Sequence, residues 1–532
     1  MTTARRSWWR DGVLYQIYPR SFADSNGDGV GDLRGIVERL DHLQWLGIDG
    51  IWLNPVMSSP NKDWGYDVSD YKTIHPELGT LEDSDELIRE ASARGIRVLY
   101  DLVPNHTSDQ HPWFQDALSG RDSAHRHYYV WADPKEDGSP PNNWLSVFGG
   151  EGAWEFDEHS GQYYLHNFLR HQPDLNWWND DVRDEFDDIL RFWFDRGVAG
   201  FRIDVAHSLI KDKELRDNLP ATEEDPERVR RVGQQPIYNM NRPEGHDVIK
   251  RWRSLSDEYD PQRVLVGETF VLDVAKMVSY YGEGDELNLA FNFPFIFSHF
   301  NSSELRGVVE LTESLLPEES WPVWTASNHD VGRLATRWCG GDERKVRCAL
   351  MLLLTMRGTP FLYYGDEIGL EEVEIQREDV RDPVGERFWP KNKGRDPGRT
   401  PMAWSPEPGA GFSRPGVRPW LPYGDHTACN VADQRGDERS VLWFTKDLIA
   451  LRKSSEELIG GSYETVATEG GLWAYRRGSG TLVALNLSDE PAGFEQLAGT
   501  VAISTDRSTD GDELDGGIEL QPWQGVVVLT NQ

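Results

Sequence analysis

Gly200-Phe201-Arg202-Ile203-Asp204-Val205-Ala206-His207 is a short apolar segment that carries an arginine and an aspartate in alternation. The apolar residues predict a buried strand. Residues two apart on a strand share a face, so we expect Arg202 and Asp204 to point into the same pocket. A carboxylate beside a cation stays ionised and is available as a nucleophile. The octapeptide alone is equally typical of a structural ion pair that caps a core strand.

Apolar and amphipathic segments alternate along most of the chain. Strands are predicted at residues 13–19, 50–55, 98–106, 200–205, 264–269, 287–291, 324–327 and 361–364. Helices are predicted between or after them at 33–46, 82–93, 180–196, 248–259, 304–315, 343–356 and 440–453. Near-continuous apolar strands separated by helices are typical of a parallel sheet buried on both faces. The pattern predicts an α/β fold, the (β/α)8 TIM barrel. A doubly wound sheet is the alternative, but no GxGxxG follows the first strand.

Two regions depart from this alternation and predict further domains. Residues 107–172 are rich in Gly, Pro, Asp, Trp and Tyr without helical periodicity, which indicates a subdomain inserted after strand 3. From residue 454 the chain changes to short alternating segments, which predict a C-terminal antiparallel β-sandwich domain. The predicted domains are therefore a catalytic barrel (1–106 and 173–453), an inserted subdomain (107–172) and a C-terminal domain (454–532). Residues 371–427 are irregular and are expected to form a loop excursion over the barrel mouth.

Composition narrows the classes of partner and the location. The formal charge of −35 argues against nucleic acid and against anionic membrane surfaces, but not against a small neutral sugar. A mean hydropathy of −0.61 without a long apolar run argues against a membrane span. The N-terminus lacks the apolar region of a signal peptide, and the three cysteines show no metal-binding spacing. We therefore expect a cytoplasmic protein without an organic cofactor, and the sequence predicts no oligomeric state.

Carboxylates and histidines follow several of the predicted strands. In a TIM barrel the carboxyl ends of the strands face the active site. The residues placed there are Asp101, Asn105, His106, Arg202, Asp204, His207, Glu268, Asn328, His329 and Asp330. One carboxylate can attack an anomeric carbon, a second can protonate the leaving oxygen, and a third can hold ring hydroxyls, which is the retaining glycoside-hydrolysis arrangement. Each residue alone also has a structural explanation, but four segments with such endings favour a catalytic site.

An oxygen-rich loop follows the first strand and predicts a structural Ca²⁺ site. Side-chain oxygens alternate with small residues from residue 24 to residue 32, and the expected ligands are Asp24, Asn26, Asp28, the carbonyl of Val30 and Asp32. The loop is similar to the start of an EF-hand loop but lacks its terminal glutamate. A metal-free Asn/Asp/Gly turn is the alternative.

The motifs together resemble the α-amylase family of glycoside hydrolases (family 13), over almost the whole chain. The four short motifs are Asp101-Leu102-Val103-Pro104-Asn105-His106, Gly200 to His207, Gly267-Glu268-Thr269 and Ser327-Asn328-His329-Asp330. A fifth, Gln172-Pro173-Asp174-Leu175-Asn176, resembles the oligo-1,6-glucosidase and α-glucosidase branch rather than endo-acting amylases.

The resemblance implies a role for each of nine residues. Asp204 would be the nucleophile, Glu268 the general acid/base and Asp330 the transition-state stabiliser. Tyr66 would form a platform under the sugar ring, and the residues that hold hydroxyls would be Asp67, His106, Arg202 and His329. Arg399, rather than Arg395, is expected to pair with Asp67 and close the pocket.

The function that follows is a retaining exo-acting α-glucosidase. It would release α-glucose from the non-reducing end of short α-1,4 or α-1,6 oligosaccharides through a covalent glucosyl-enzyme, which also allows transglucosylation. A valine at position 205, directly after the expected nucleophile, resembles the sequence of enzymes that cleave α-1,6 links. Ala206-His207-Ser208 instead resembles the sequence of α-1,4-acting relatives, so the sequence does not decide which linkage is cleaved. A dedicated α-glucosyltransferase or sucrose-active relative is the enzymatic alternative. A non-catalytic amylase-like binding protein is disfavoured, because no predicted catalytic carboxylate is missing.

Overall fold

The computed structural model describes residues 7–149, 151–317, 319–495 and 497–530, and the chain divides into two units. The first unit comprises Met1–Leu53, Glu86–Val98 and Phe291–Gln532, and the second comprises Asn54–Asp85 and Leu99–Ala290. The first six residues, on which the expectation of no signal peptide rests, lie outside the described residues.

Each unit contains consecutively paired parallel strands that are almost wholly buried. In the first unit the order is Gly50–Leu53, Leu14–Ile17, Thr359–Tyr363 and Val323–Trp324. In the second unit the paired strands are Arg97–Leu102, which begins in the first unit, then Gly200–Ile203, Val264–Gly267 and Leu289–Ala290. Burial of successive residues on both faces explains the continuous apolar runs in the sequence.

A helix follows each of these eight strands before the next one begins. In chain order the helices are Leu33–Leu46, Leu81–Ala93, Asp180–Asp195, Gly245–Asp257, Val274–Ser279, Ser302–Leu315, Glu343–Thr355 and Val441–Ser454. Eight parallel strands alternating with helices make the fold a (β/α)8 barrel, as predicted. The bounds of Leu33–Leu46 match the prediction because both ends carry local signals: the Asp32 carboxylate accepts the amide N–H of Gly35, and Gly47 ends the helix at a φ of 96°.

Short elements complete the barrel region. The strands are Met57–Ser58 and Asp70–Ile74. The short α-helices are Trp8–Asp11, Pro19–Phe22, Glu227–Val232, Phe293–Phe297, Leu334–Arg337, Pro383–Phe388, Val431–Arg435 and Glu456–Gly460. Single 3-10 turns lie at Ala206–Ser208, Asp366–Ile368, Arg377–Asp379 and Asp396–Gly398. In the described part of the chain, no helix is both long enough and apolar enough to cross a membrane.

The inserted region contains a small sheet of its own. Trp131–Ala132, Gln162–Leu165 and Trp154–Asp157 form a three-stranded antiparallel sheet, with a core of Trp144, Ala153, Trp154 and Leu165. Although the sequence of this region shows no helical periodicity, Pro112–Leu118 is helical and Arg126–Tyr128 forms a 3-10 turn. Seven residues are too few to show a helical period, although His111 at the N-cap and Pro112 at the first position are start signals.

The C-terminal region is an antiparallel β-sandwich, as predicted. Six strands pair in the order Tyr463–Ala467, Leu472–Arg477, Thr481–Asn486, Gly525–Leu529, Ala498–Ser504 and Glu513–Asp515. A second sheet pairs Ala492–Phe494 with Ile518–Leu520. Apolar side chains from both sheets form the core between them, including Leu482, Val528, Phe494 and Leu520.

Two buried arginines, Arg452 on the last barrel helix and Arg477 in this domain, contact the end of another barrel helix in the same unit. Arg452 Nη1 donates to the carbonyl oxygens of Leu354 (2.9 Å) and Met356 (3.0 Å), at the carboxyl end of helix Glu343–Thr355. Arg477, on a C-terminal strand, donates to the carbonyl oxygen of Thr355. The last carbonyl groups of a helix have no partner within the helix, so these guanidinium groups satisfy them and complement the helix dipole.

Candidate active site

The strand Gly200–Ile203 brings Arg202 and Asp204 together, as the sequence predicted. Arg202 Nη1 lies 2.7 Å from Asp204 Oδ1, and the Asp204 amide donates to the carbonyl of Leu102 at 2.8 Å. Gly200 allows the close approach of the neighbouring strand, because a Cβ at this position would lie 2.2 Å from the Val264 carbonyl oxygen. The strand therefore delivers both side chains from a tightly packed backbone.

Arg202 contacts two further carboxylates, so it is the centre of a buried cluster. Its Nη1 donates to Asp101 Oδ1 at 2.8 Å and Oδ2 at 3.1 Å, and its Nη2 lies 2.8 Å from Glu268 Oε2. Burial raises the pKa of Asp101 to about 7, although Arg202 opposes the rise. Three carboxylates, those of Asp101, Asp204 and Glu268, therefore surround one guanidinium. Such a group can supply both an ionised nucleophile and an acid.

The residue after Asp204 adopts an unusual conformation that contributes to this cluster. Val205 has φ 36° and ψ 49°, in the left-handed region that β-branched residues rarely enter. In this conformation its amide N–H donates to Glu268 Oε2 at 3.0 Å. The Ala206 amide also donates to the Glu268 carbonyl at 3.0 Å. Backbone strain at a candidate site is consistent with a functional constraint.

Tyr66 and His106, predicted as substrate-binding residues, lie in the same unit and contact one another. The Tyr66 hydroxyl donates to Asp101 Oδ2 at 2.9 Å and accepts from Asn54 Nδ2 at 2.8 Å. His106 Nε2 donates to the Tyr66 carbonyl at 2.9 Å, and Gln172 Nε2 donates to the same oxygen at 3.0 Å. The first and fifth family motifs, through His106 and Gln172, therefore both donate hydrogen bonds to the backbone of Tyr66.

Asp67 is buried beside this group, and its partners are local. Its carboxylate accepts from Ser59 Oγ at 2.7 Å and from the amides of Lys62 at 2.8 Å and Asp63 at 3.0 Å. Burial raises the pKa of Asp67 to about 6, although these hydrogen bonds oppose the rise.

Asp330, His329 and Arg399 form a second group, in the other unit. Arg399 Nη2 donates to Asp330 Oδ1 at 3.1 Å, and Arg395 Nη1 donates to the same oxygen at 3.1 Å. Gln16 Nε2 donates to His329 Nδ1 at 2.9 Å, so the ring proton lies on Nε2, 3.3 Å from Asp330 Oδ2. Sequence reasoning named Asp67 as the partner of Arg399 and disfavoured Arg395. The contacts of Arg399 are with Asp330 and the His329 carbonyl, and Arg395 shares the carboxylate of Asp330.

The structure thus assembles the predicted residues in two groups, one within each unit. Asp204, Glu268, Arg202, Tyr66, Asp67 and His106 lie in the second unit, and Asp330, His329 and Arg399 lie in the first. The convergence of Asp330 with Asp204 and Glu268 stays a prediction.

Sequence reasoning missed a buried ion pair next to the first group. Lys211 Nζ lies 2.8 Å from Asp174 Oδ2 and donates to Asn105 Oδ1 at 2.6 Å. Asp174 belongs to the fifth motif and Asn105 to the first, so Lys211 joins both to the segment that follows Asp204. The available signal was weak, because Lys211 is the first of four successive charged residues, 211–214, after the apolar pair Leu209-Ile210.

The predicted calcium loop uses its oxygens for internal hydrogen bonds. Asp24 accepts from the amides of Gly27 (2.6 Å) and Gly29 (2.8 Å), Asp28 accepts from the Val30 amide (2.8 Å), and Asp32 caps the following helix. Asn26 donates to Asp28 at 3.1 Å. Among residues 7–149, 151–317, 319–495 and 497–530, no group of three or more His, Cys, Asp or Glu side chains is arranged to hold a metal ion. In this conformation the carboxylates of Asp24, Asp28 and Asp32 accept from backbone amides, and the Ca²⁺ site stays a prediction.

A (β/α)8 barrel with an aspartate and a glutamate on one buried arginine defines the class of the protein as a glycoside hydrolase. The family model described as "Alpha amylase, catalytic domain" matches residues 16–461. The chain belongs to the alpha-amylase family.

Named relatives and solved structures cover nearly all of the chain. A probable alpha-glucosidase of Rhizobium meliloti (strain 1021) is 42% identical over 97% of this chain and 96% of the relative. An oligo-1,6-glucosidase of Heyndrickxia coagulans is 39% identical over 92% of this chain and 94% of the relative. The crystal structure of the alpha-glucosyl transfer enzyme XgtA superposes with a TM-score of 0.92 at 40% identity, over 99% of this chain and 100% of that chain.

Proposed function

We propose that this protein is a retaining, exo-acting α-glucosidase that releases α-glucose from the non-reducing end of short α-1,4 or α-1,6 glucosides. The observation that carries the proposal is the contact of Asp204 and Glu268 with different nitrogens of one guanidinium, that of Arg202. The names of the relatives, alpha-glucosidase and oligo-1,6-glucosidase, support the substrate class.

The chemistry proceeds in two displacements. Asp204 attacks the anomeric carbon while Glu268 protonates the departing glycosidic oxygen, and the covalent glucosyl ester of Asp204 forms. Glu268 then takes a proton from water, which attacks the same carbon and releases Asp204. Carboxylates that share one guanidinium are close together, which supports direct attack, with a separation of about 5–5.5 Å, over the wider gap that an inverting enzyme needs for water.

Each partner of Arg202 contributes to this scheme. Arg202 keeps Asp204 ionised through a 2.7 Å contact, and Asp101 balances part of the guanidinium charge. Tyr66, through its hydroxyl on Asp101, is oriented as a platform for the sugar ring, and Asp67, His106 and His329 are proposed to hold hydroxyls. Asp330 is proposed to stabilise the positive charge that develops on the ring.

Azide rescue distinguishes the nucleophile from the acid. In Asp204→Ala, azide is expected to enter from the vacated face and convert an aryl α-glucoside into β-glucosyl azide. In Glu268→Ala, an activated aryl glucoside still forms the covalent intermediate, and azide should give α-glucosyl azide. Both variants should lose about 10⁴-fold or more in kcat on maltose. Exchanged anomers would reverse the two roles, and near-normal maltose turnover by Asp204→Ala would contradict the proposal.

The exo mode is a separate part of the proposal. It is supported by the excursion at 371–427, from which Arg395 and Arg399 reach Asp330. We expect soluble starch to lose viscosity slowly while free α-glucose appears, followed by NMR at the anomeric proton. A rapid fall in viscosity with little glucose would indicate endo cleavage.

Glucosyl transfer is the second candidate function, and the similarity to an alpha-glucosyl transfer enzyme favours it. The same glucosyl-enzyme can react with a sugar hydroxyl instead of water. Initial rates on maltose, isomaltose, nigerose, trehalose and sucrose, with products followed at low and high substrate concentration, separate the two. Oligosaccharide products that exceed glucose at every concentration would indicate a dedicated transferase, and turnover of sucrose alone would indicate a sucrose-active enzyme.

We also propose a structural Ca²⁺ on the loop that contains Asp24, Asn26, Asp28, Val30 and Asp32. Exposure of Asn26 and Asp28 supports the proposal, because both side chains can rotate toward a cation. Millimolar Ca²⁺ should raise the Tm of the EGTA-treated protein, and Asp28→Ala should remove the shift. An unchanged Tm would favour the metal-free turn.

A cytoplasmic location is proposed as well. It is supported by Cys339, Cys348 and Cys429, which are all free thiols. Cell fractionation, with antibody detection of the protein, tests it.

A further inference from the structure

Two cations contact the carboxylate that is proposed to stabilise positive charge on the sugar. Arg395 Nη1 and Arg399 Nη2 each lie 3.1 Å from Asp330 Oδ1. The Arg399 side chain is fully buried and that of Arg395 is mostly buried, so solvent screens their charges weakly. Two guanidinium groups beside one carboxylate would leave a net positive charge near an oxocarbenium-like transition state. An arrangement of this kind would oppose catalysis unless another anion balanced it.

Asp382 supplies a second anion on the far side of Arg395. Its Oδ1 accepts from Arg395 Nε at 3.0 Å and Nη2 at 2.6 Å, and its Oδ2 accepts from the Arg395 amide at 2.7 Å. Asp382 is fully buried. Burial raises its pKa, but Arg395 and Arg399 outweigh burial and hold the pKa of Asp382 below the ordinary value. The carboxylate is therefore ionised at neutral pH.

The neighbouring carboxylate of Asp396 has different partners. Its Oδ2 accepts from the amides of Arg381 at 2.6 Å and Asp382 at 2.9 Å. Burial raises the pKa of Asp396. The ion pairs in this part of the chain therefore connect two carboxylates, Asp382 and Asp330, with two guanidinium groups, Arg395 and Arg399.

We infer that Asp382 is a positioning residue for the glucosidase reaction, which holds the Arg395 guanidinium against Asp330 and neutralises its charge. The inference rests on the proposed role of Asp330. Asp382 acts through Arg395, whose guanidinium it shares with Asp330. Asp382 offsets the charge of Arg395, and without it that positive charge acts on Asp330 and on the developing cation without this counterion.

A charge-rescue series tests this role. The variants are Asp382→Asn, Arg395→Gln and the double variant, assayed on maltose and on an aryl α-glucoside, with the active fraction counted by a covalent inactivator. Asp382→Asn should lower kcat about 10- to 100-fold with a smaller change in KM, because the extra charge acts mainly on the transition state. The double variant removes both charges, and its kcat should exceed that of Asp382→Asn. A double variant that is less active than either single variant would indicate a merely structural role and overturn the inference.

Two further variants keep the test decisive. If Asp382→Asn does not fold, Arg395→Lys takes its place in the test. Lysine retains the charge but cannot contact Asp382 and Asp330 together, so kcat should fall about tenfold or more. An unchanged kcat would overturn the inference. Asp330→Asn separates the inference from the proposed function. Near-normal turnover by Asp330→Asn would reject the role of Asp330 itself. A large loss in Asp330→Asn with no effect of Asp382→Asn would reject only the role of Asp382.

Discussion

Replacement of Lys211 by Met should destabilise the protein, because it breaks a buried ion pair. Lys211 and Asp174 are both buried, with 3% and 0% of their side chains exposed, and their charged atoms lie 2.8 Å apart. Burial lowers the pKa of Lys211, and Asp174 opposes the effect. Removing the cation leaves the Asp174 carboxylate buried without its counterion, and breaking such pairs costs about 3–5 kcal/mol.

The hydrogen bonds that remain place the expected cost at the lower end of this range. Without Lys211, Asp174 still accepts from the Asn167 amide (2.9 Å), Asn167 Nδ2 (2.8 Å) and Asn105 Nδ2 (3.2 Å). We therefore expect Lys211→Met to lower the free energy of unfolding by about 3 kcal/mol. The double variant Asp174→Asn/Lys211→Met carries no charge, and should lie within about 1 kcal/mol of the wild type or above it.

The assay is native-state hydrogen exchange by mass spectrometry, because a chain with several domains does not unfold in one step. Peptides that cover residues 167–175 and 205–212 report the local stability. Lys213→Met is the matched control, since Lys213 is exposed two residues away and its contact with the Trp178 ring, 3.9 Å from the centroid, should limit the loss of stability to about 0.5–1 kcal/mol. A loss below about 1 kcal/mol for Lys211→Met, or a double variant as unstable as the single one, would refute the reasoning.

Three further predictions concern the predicted substrate site. Burial raises the pKa of Asp67 to about 6, so the protonated carboxyl stabilises the fold below about pH 4, and this contribution, of order 3 kcal/mol, is lost as pH rises through about 6. Asp67→Asn should flatten that part of the curve of urea midpoint against pH. A curve identical to that of the wild type would contradict this prediction. Tyr66→Phe removes the hydroxyl between Asn54 and Asp101. The change should lower the stability measured by urea denaturation by about 1–3 kcal/mol and kcat/KM on maltose about tenfold. Unaltered kinetics would show that the hydroxyl does not orient the Tyr66 ring for the substrate. Val205→Gly should be at least as stable as Val205→Ala in the same denaturation assay, which is the reverse of the usual order. The reason is that only glycine adopts the φ of 36° at this position without strain. A glycine variant less stable than the alanine variant would mean that the conformation is not strained.

The repetitive part of the fold could be predicted from the sequence because its signals are local. The helix Leu33–Leu46 carries a capping aspartate at one end and a glycine at the other, and the structure gives the predicted bounds. The pairing of Arg202 with Asp204 followed from the two-residue period of a strand. Two strands were predicted too long: within 287–291 the strand is Leu289–Ala290, followed by a single bridge from Phe291 to Val323, and the strand Val323–Trp324 ends before the motif Ser327–Asp330. The positions of residues after a strand depend on the conformation of the following loop, which the hydropathy pattern does not predict.

Contacts between distant segments could not be predicted in the same way. Asp382 and Arg395 are thirteen residues apart in an irregular segment, and no periodicity relates them. Arg399 contacts Asp330, sixty-nine residues earlier, which motif position alone did not indicate, and the pairing of Arg399 with Asp67 stays a prediction. Lys211 contacts Asp174 and Asn105, which are thirty-seven and one hundred and six residues earlier in the sequence. Such pairs depend on the folded path of the chain.

The arginines at the end of helix Glu343–Thr355 bear on attempts to shorten the enzyme. Arg477 belongs to the C-terminal sheet, and Tyr475 on the same strand contacts the Thr355 hydroxyl at 2.5 Å. A chain stopped after residue 454 would retain Arg452 but leave the Thr355 carbonyl facing the exposed cut surface. A minimal enzyme, or a chimera with a foreign sandwich, would therefore need a replacement donor at that carbonyl before the trimmed barrel could be expected to stay folded.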